Sequence, residues 1–234
     1  MSYGKTKKST LVLALALSGL LASCGAKDAD KVGEAQLCLD DATPGTAAAC
    51  MEKIEGIDSP AASLLRCSAG FIDEGFTQPT RFQQAFDALG SGNTNSTEAF
   101  LGVLAFSSKS TADENVTFVT ETYDHCVKSK AKGFMLLGSM AKTATTLAKL
   151  AGTFASGTQP SQTDIVNAIN SAVSDPTAQA AIGSAVATTY IASCQTGAQS
   201  DKTLCDQFDT ALANVDINDS QAVGAAVLNY WKNN

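Results

Sequence analysis

The stretch PTAQAAIGSAVATTYIASCQTGAQS, Pro176–Ser200, contains no charged residue. Alanine, glycine, serine and threonine dominate it. Alanine is the best helix former, and small side chains let helix backbones approach one another closely. Asp175-Pro176 supplies a capping side chain followed by proline in the first turn. The stretch therefore predicts a helix from about Pro176 to Gln195, central and surrounded by others. A lipid-spanning role is disfavoured, because Gln179, Ser184, Ser193 and Gln195 would be costly in hydrocarbon.

The rest of the chain extends this reading. β-branched runs are short, and helix breakers recur at short intervals. Helices are expected over about Asp30–Asp41, Thr46–Glu55, Pro60–Gly75, from Pro79 through Leu89, and over about Ser96–Ser107. Further helices follow over about Asp113–Val127, Ala131–Ala155, Gln162–Ser174, Ser200–Asn214 and Asp219–Lys232. Asp58-Ser59-Pro60 and Asp219-Ser220 are start signals. Apolar residues at helical spacing mark inward faces: Leu64, Cys67, Phe71 and Ile72; Phe82, Phe86 and Leu89; Phe100, Leu101, Leu104 and Ala105; Val116, Val119, Tyr123 and Cys126. The fold class is all-α, a multi-helix bundle or a short irregular α-solenoid of helical hairpins. Residues 31–234 form a single helical domain, or two subdomains over 31–108 and 113–234. Helix–turn–helix order over about residues 30–107 resembles a TPR-like α-solenoid, best between Cys50 and Leu89. Its register departs from that family: if Gly70 takes the small glycine position, the later alanine position falls on Phe82, and no period near 34 residues recurs.

At the start, Lys5, Lys7 and Lys8 precede the apolar run Leu11–Leu21. That run is too short to span a hydrocarbon core of about 30 Å, and it has the layout of a secretory signal. Leu21-Ala22-Ser23-Cys24 closes it. These residues resemble the lipobox of bacterial lipoproteins at all four positions. The resemblance covers residues 1–24 and implies that residues 1–23 are a signal peptide and that Cys24 carries the lipid. It also implies a bacterial envelope protein. Gly25 rather than Asp after the cysteine implies the outer membrane, facing the periplasm, and residues 24–30 read as a polar tether.

Loss of residues 1–23 removes three lysines, taking the formal charge from −7 to −10. Acidity of that order excludes a nucleic-acid partner, because phosphates would repel it. With Cys24 lipidated, six cysteines remain: Cys38, Cys50, Cys67, Cys126, Cys194 and Cys205. An even number in an exported chain reads as a disulfide framework of about three bridges, and six cysteines allow 15 pairings. Hairpin geometry favours Cys194–Cys205 across the Gly197–Ser200 loop and Cys38–Cys50 across the Pro44 turn. Cys67–Cys126 is then the long-range link, with Cys50–Cys67 across the Gly56–Pro60 turn as a competitor. No CxxC spacing occurs and His125 is the one histidine, so no metal or cofactor is expected.

Chemistry is sparse. Ser139-Met140-Ala141-Lys142 and Ser129-Lys130-Ala131-Lys132 match Ser-x-x-Lys, which sets hydroxyl and amine on one helical face. The Ser-Asp-Asn and Lys-Thr-Gly companions of that motif are missing. The adjacent carboxylates Asp40–Asp41, Asp73–Glu74 and Asp113–Glu114 diverge on a helix and read as solvated faces or helix-start charges. Asp216-Ile217-Asn218-Asp219 lacks a calcium loop's glycine and reads as a cap. Asn115-Val116-Thr117 is a glycosylation sequon without meaning in a bacterial compartment. No residue earns a catalytic role, and an enzyme is the lesser expectation. The leading expectation is a binding or scaffolding domain for an envelope protein or peptide. The alternatives are a carrier of a small apolar ligand, lined by Phe134, Met135, Leu136 and Leu137, and an envelope hydrolase.

Overall fold

A computed structural model describes residues 27–81, 83, 96–152, 157–195 and 202–233. The signal segment, Cys24 and the Phe82–Leu89 face lie outside these residues. The described chain is helical, with no strand among its residues. Helix α1 covers residues 27–40. Next come α2 (Ala47–Met51), prolonged by a 3-10 turn at Glu52–Ile54, and α3 (Pro60–Asp73). After a helical turn at 79–81 follow α4 (Ser96–Leu104), α5 (Ala112–Ser129) and α6 (Lys132–Ala151). The C-terminal part holds α7 (Gln162–Ala172), α8 (Pro176–Tyr190) with a π turn at Ile191–Gln195, α9 (Lys202–Ala211) and α10 (Ser220–Asn233).

The capping residues act as their chemistry dictates. Ser59 accepts from the Ala62 N–H, with Pro60 in the first turn of α3. Asp175 accepts from Thr177 and Ala178 at the start of α8. A reciprocal capping box, Thr111 with Glu114, opens α5. That Thr-x-x-Glu signal begins the helix one residue before the expected Asp113.

Several helices end two to four residues earlier than the sequence suggested, and for α6 and α4 the cause is visible. Instead of running to Ala155, α6 stops at Ala151, where Gly152 adopts φ +68°. A left-handed glycine just past the last turn is a common helix stop. Likewise α4 ends at Leu104, not Ser107. There the backbone of Ala105 to Ser108 hydrogen-bonds to Arg81, Thr145 and Glu74 instead of continuing the helix.

Three apolar clusters form the core. The N-terminal one joins Ala35, Leu39, Cys50, Ile54, Ala62 and Leu65. A middle one holds Cys67, Phe71, Phe106, Val119, Cys126 and Ala141. The largest gathers Leu101, Leu104, Leu147, Ile165, Ile182, Val186, Phe208, Val223, Val227 and Leu228, among others, from α4 and α6–α10. On α3, Leu65 is buried whereas Leu64 is half-buried. The expected faces of α4 and α5 point inward through Leu101, Leu104 and Ala105, and through Val119, Tyr123 and Cys126.

Helix α8 occupies the central place its composition suggested, packed on α6 and most extensively on α10. Gly183 and Gly224 make that crossing possible. A Cβ on Gly183 would lie 1.7 Å from the Ser220 carbonyl oxygen, and one on Gly224 would lie 1.9 Å from that of Gln179. Backbone therefore meets backbone, and no larger residue fits either position.

Three disulfides staple the fold: Cys38–Cys50, Cys67–Cys126 and Cys194–Cys205, with Cα–Cα separations of 5.6, 4.9 and 5.5 Å. Two close neighbouring helices. Cys67–Cys126 ties α3 to α5 and crosses from residues 31–108 into residues 113–234.

Candidate functional site

A polar cleft of 590 Å³ opens where the turn after α3, the segment after α4 and the segment before α7 converge. Its floor is an ion pair, Arg81 Nη1 to Glu74 Oε1 at 3.0 Å, with both side chains at least nine-tenths buried. Burying two charges is expensive unless the remaining hydrogen-bonding capacity is also met, and here it is met. Glu74 Oε1 accepts from the Ser107 N–H at 2.7 Å, and Oε2 accepts from the Ser108 N–H at 3.1 Å. Arg81 donates to the carbonyls of Glu74, Val103 and Ala105 at 2.6, 3.0 and 2.8 Å. In the amide orientation that satisfies both partners, Gln159 accepts from Arg81 Nε at 2.8 Å. The guanidinium also stacks 3.9 Å from the Phe76 ring centroid. Burial lowers the Arg81 pKa, and Glu74 opposes that shift through its charge and its hydrogen bond.

Asp73, one residue before Glu74, has a different task. Its two carboxylate oxygens accept from the N–H groups of Ala47 and Ala48 at 2.7 and 3.1 Å, capping α2 from a distant part of the chain. Asp73 is thus a helix-start charge, for α2 rather than for its own helix, whereas Glu74 is neither that nor a solvated surface charge. Both are spent on the scaffold, and neither is poised for proton transfer. Around them the cleft rim is polar and exposed, with Gln78, Thr80, Ser108 and Thr158.

One sequence signal could have found this network. The chain has two arginines against fourteen lysines. Arg66 donates to the carbonyls of Ile57 and Ile54 at 3.0 and 2.8 Å, so each arginine ties several carbonyls together. A planar fork of five donors does this where an ammonium cannot.

The other candidates are scattered. Ser129 accepts from the Ala131 N–H and donates to the Cys126 carbonyl, which closes the end of α5. Ser139 is buried, while Lys142 lies half-buried with Nζ 4.9 Å from the Tyr123 ring centroid. Burial lowers the Lys142 pKa. A buried hydroxyl beside a lysine laid on a tyrosine presents no nucleophile to a substrate. His125 is half-buried, its Nδ1 without a hydrogen-bond partner. Its pKa is lowered first by burial and then by Arg66 and Lys128. The neighbouring Cys126 is held in its disulfide.

Asn115 is buried, hydrogen-bonded to Lys109 and Thr111 as the hinge of its loop. Asp219 caps the last helix through the Ala222 N–H at 3.0 Å. Of the residues suggested for an apolar cavity, Met135 is buried, and Phe134 and Leu137 pack against the core clusters.

Among the described residues, no group of three or more His, Cys, Asp or Glu is placed to hold a metal ion. No described helix is long and apolar enough to cross a membrane. Searches of protein-family models, curated proteins and solved structures return no significant match to the chain.

Proposed function

We propose that this chain is a lipid-anchored protein of the bacterial cell envelope, with a disulfide-stapled helical domain that binds or scaffolds a protein or peptide. The cleft above Glu74 and Arg81 carries the binding part of this reading. It is open, its rim is polar, and its charged floor is already hydrogen-bonded within the fold. Such a surface offers shape and exposed hydrogen-bonding groups rather than an acid, a base or a nucleophile. The anchor rests on Leu21-Ala22-Ser23-Cys24. Six cysteines joined in three bridges suit the oxidising compartment that this signal implies.

A photo-crosslinking residue placed at Gln78 or Thr158, both on the exposed rim, tests the cleft. The same envelope partner recovered from both positions, and not from a control at the exposed Asn167 of α7, supports the reading. Absence of any reproducible partner overturns it. Incorporation of labelled palmitate into the native chain, and its loss in Cys24→Ala, tests the anchor separately.

A further inference from the structure

A second cleft, of 250 Å³, lies between the start of α4 and the facing sides of α7 and α10. Glu98 lines it and is 7% exposed. No described residue gives its carboxylate a hydrogen bond or an ion pair. Glu74, the chain's other strongly buried glutamate, is fully partnered, which makes Glu98 the exception. The Glu98 carboxylate opens into the cleft, where it is free to pair with the positive group of a ligand.

The surrounding side chains narrow its identity. Trp231 lines the same cleft and is half-buried, so part of its indole remains open. An aromatic face beside a carboxylate is a receptor for an ammonium group. Lys232, exposed at the rim, would repel a simple cation but attract an anionic group. Asn170 adds a neutral amide, and Val166 and Ile169 supply an apolar wall. We propose that this cleft binds a small zwitterion, with its ammonium held by Glu98 and Trp231 and its acidic group facing Lys232. Two sources share that chemistry: a free amino acid and a phosphoethanolamine group. The proposal stands independently of the peptide-binding cleft, which is built from other elements.

Trp231 is the chain's one tryptophan, so its emission reports on this cleft directly. The full chain is titrated with L-alanine in one arm and O-phosphoethanolamine in the other, with methylammonium and inorganic phosphate as single-charge controls. A saturable change in emission with at least one zwitterion is expected, at concentrations where neither control responds. The responding arm identifies the source. Glu98→Gln, isosteric and uncharged, is expected to weaken binding by about tenfold or more, as loss of a charged hydrogen bond does. Lys232→Ala, at the exposed rim, should weaken it as well and serves if Glu98→Gln does not fold. The proposal fails if neither zwitterion gives a saturable change. It also fails if the controls match them, or if affinity is the same in a folded Glu98→Gln or Lys232→Ala chain.

Discussion

Replacing Gly183 by alanine tests the packing that organises the C-terminal half. In a free helix the change would stabilise by about 0.5–1 kcal/mol, because glycine pays more backbone entropy. Here the added methyl would sit 1.7 Å from the Ser220 carbonyl oxygen and 2.5 Å from the Gly224 nitrogen. Carbon and oxygen need roughly 3.5 Å, so α8 and α10 must separate by something approaching 2 Å. A gap half that size forfeits up to about half of the dispersion energy of the atoms facing it. Ile182, Val186, Val223 and Val227 are all nearly inaccessible to solvent and lie in the cluster that these two helices share. Overpacking of this kind costs about 1–3 kcal/mol and sometimes more; with backbone on both sides, about 3 kcal/mol is expected. At about 2–4 °C per kcal/mol for a chain of this size, the midpoint falls by about 6–12 °C. Thermal unfolding followed by circular dichroism measures it. Gly33→Ala on α1, where a Cβ meets nothing within 4 Å, is the control and should raise the midpoint slightly. Gly183→Ala with Gly224→Ala should cost less than the sum, since the interface opens once. A Gly183→Ala midpoint within a degree of the parent would refute the close approach of these helices.

Glu74→Ala removes a carboxylate from Arg81 and strands the N–H groups of Ser107 and Ser108; a loss of about 3–5 kcal/mol is expected in urea unfolding, and a loss under 1 kcal/mol would show the network to be dispensable. Thr111→Ala deletes half of the capping box on α5 and should cost about 1 kcal/mol by the same assay. His125 has a folded pKa below its unfolded value, mainly through burial. The unfolded chain therefore binds the proton more readily. Stability is full above the unfolded value near 6.5 and declines as pH falls toward the folded one. Urea unfolding from pH 7.5 down to 5 should show that slope, and His125→Gln should flatten it; an unchanged slope in the variant assigns it to carboxylates instead.

What the sequence made legible is what depends on neighbours along the chain. Asp175-Pro176, Ser59-Pro60 and Asp219 act within one helical turn of themselves, and their side chains make the capping bonds their positions suggested. Two disulfides join cysteines only 12 and 11 residues apart in sequence, a spacing at which a helical hairpin alone favours pairing. The scarcity of arginine singles out Arg81, but the partners of Glu74 and Arg81 were invisible for the opposite reason. Their partners are carbonyls and N–H groups at 103–108, brought near only when α4 breaks off early. The break and the ion pair sustain each other, and no local pattern encodes either. Glu98 was hidden in the same way: α7 and α10 bury it, and they lie far along the chain. Gly152, by contrast, was a local signal that the expected helix to Ala155 ran past. It has positive φ, and the helix stops there.

The proposed compartment and the fold are coupled, and that coupling can be measured. In the loop-entropy account, a bridge stabilises by about 3 kcal/mol for a loop near 12 residues and about 4 kcal/mol near 60 residues. Sequence separations of 12, 59 and 11 place the three bridges together at about 10 kcal/mol. A domain of this size has a net stability of only about 5–15 kcal/mol. Residues 25–234 made in a reducing cytoplasm should therefore be mostly unfolded or loosely packed, with six titratable thiols. The full chain exported as Cys24→Ser, unlipidated but oxidised, should melt cooperatively with no free thiol. Removal of the bridges singly, by paired Cys→Ala changes, should cost most for Cys67–Cys126. That bridge has the longest loop, and it alone joins the N-terminal helices to the rest. A well-folded reduced domain would show that helix packing suffices, and would remove the physical link between the disulfide framework and an exported location.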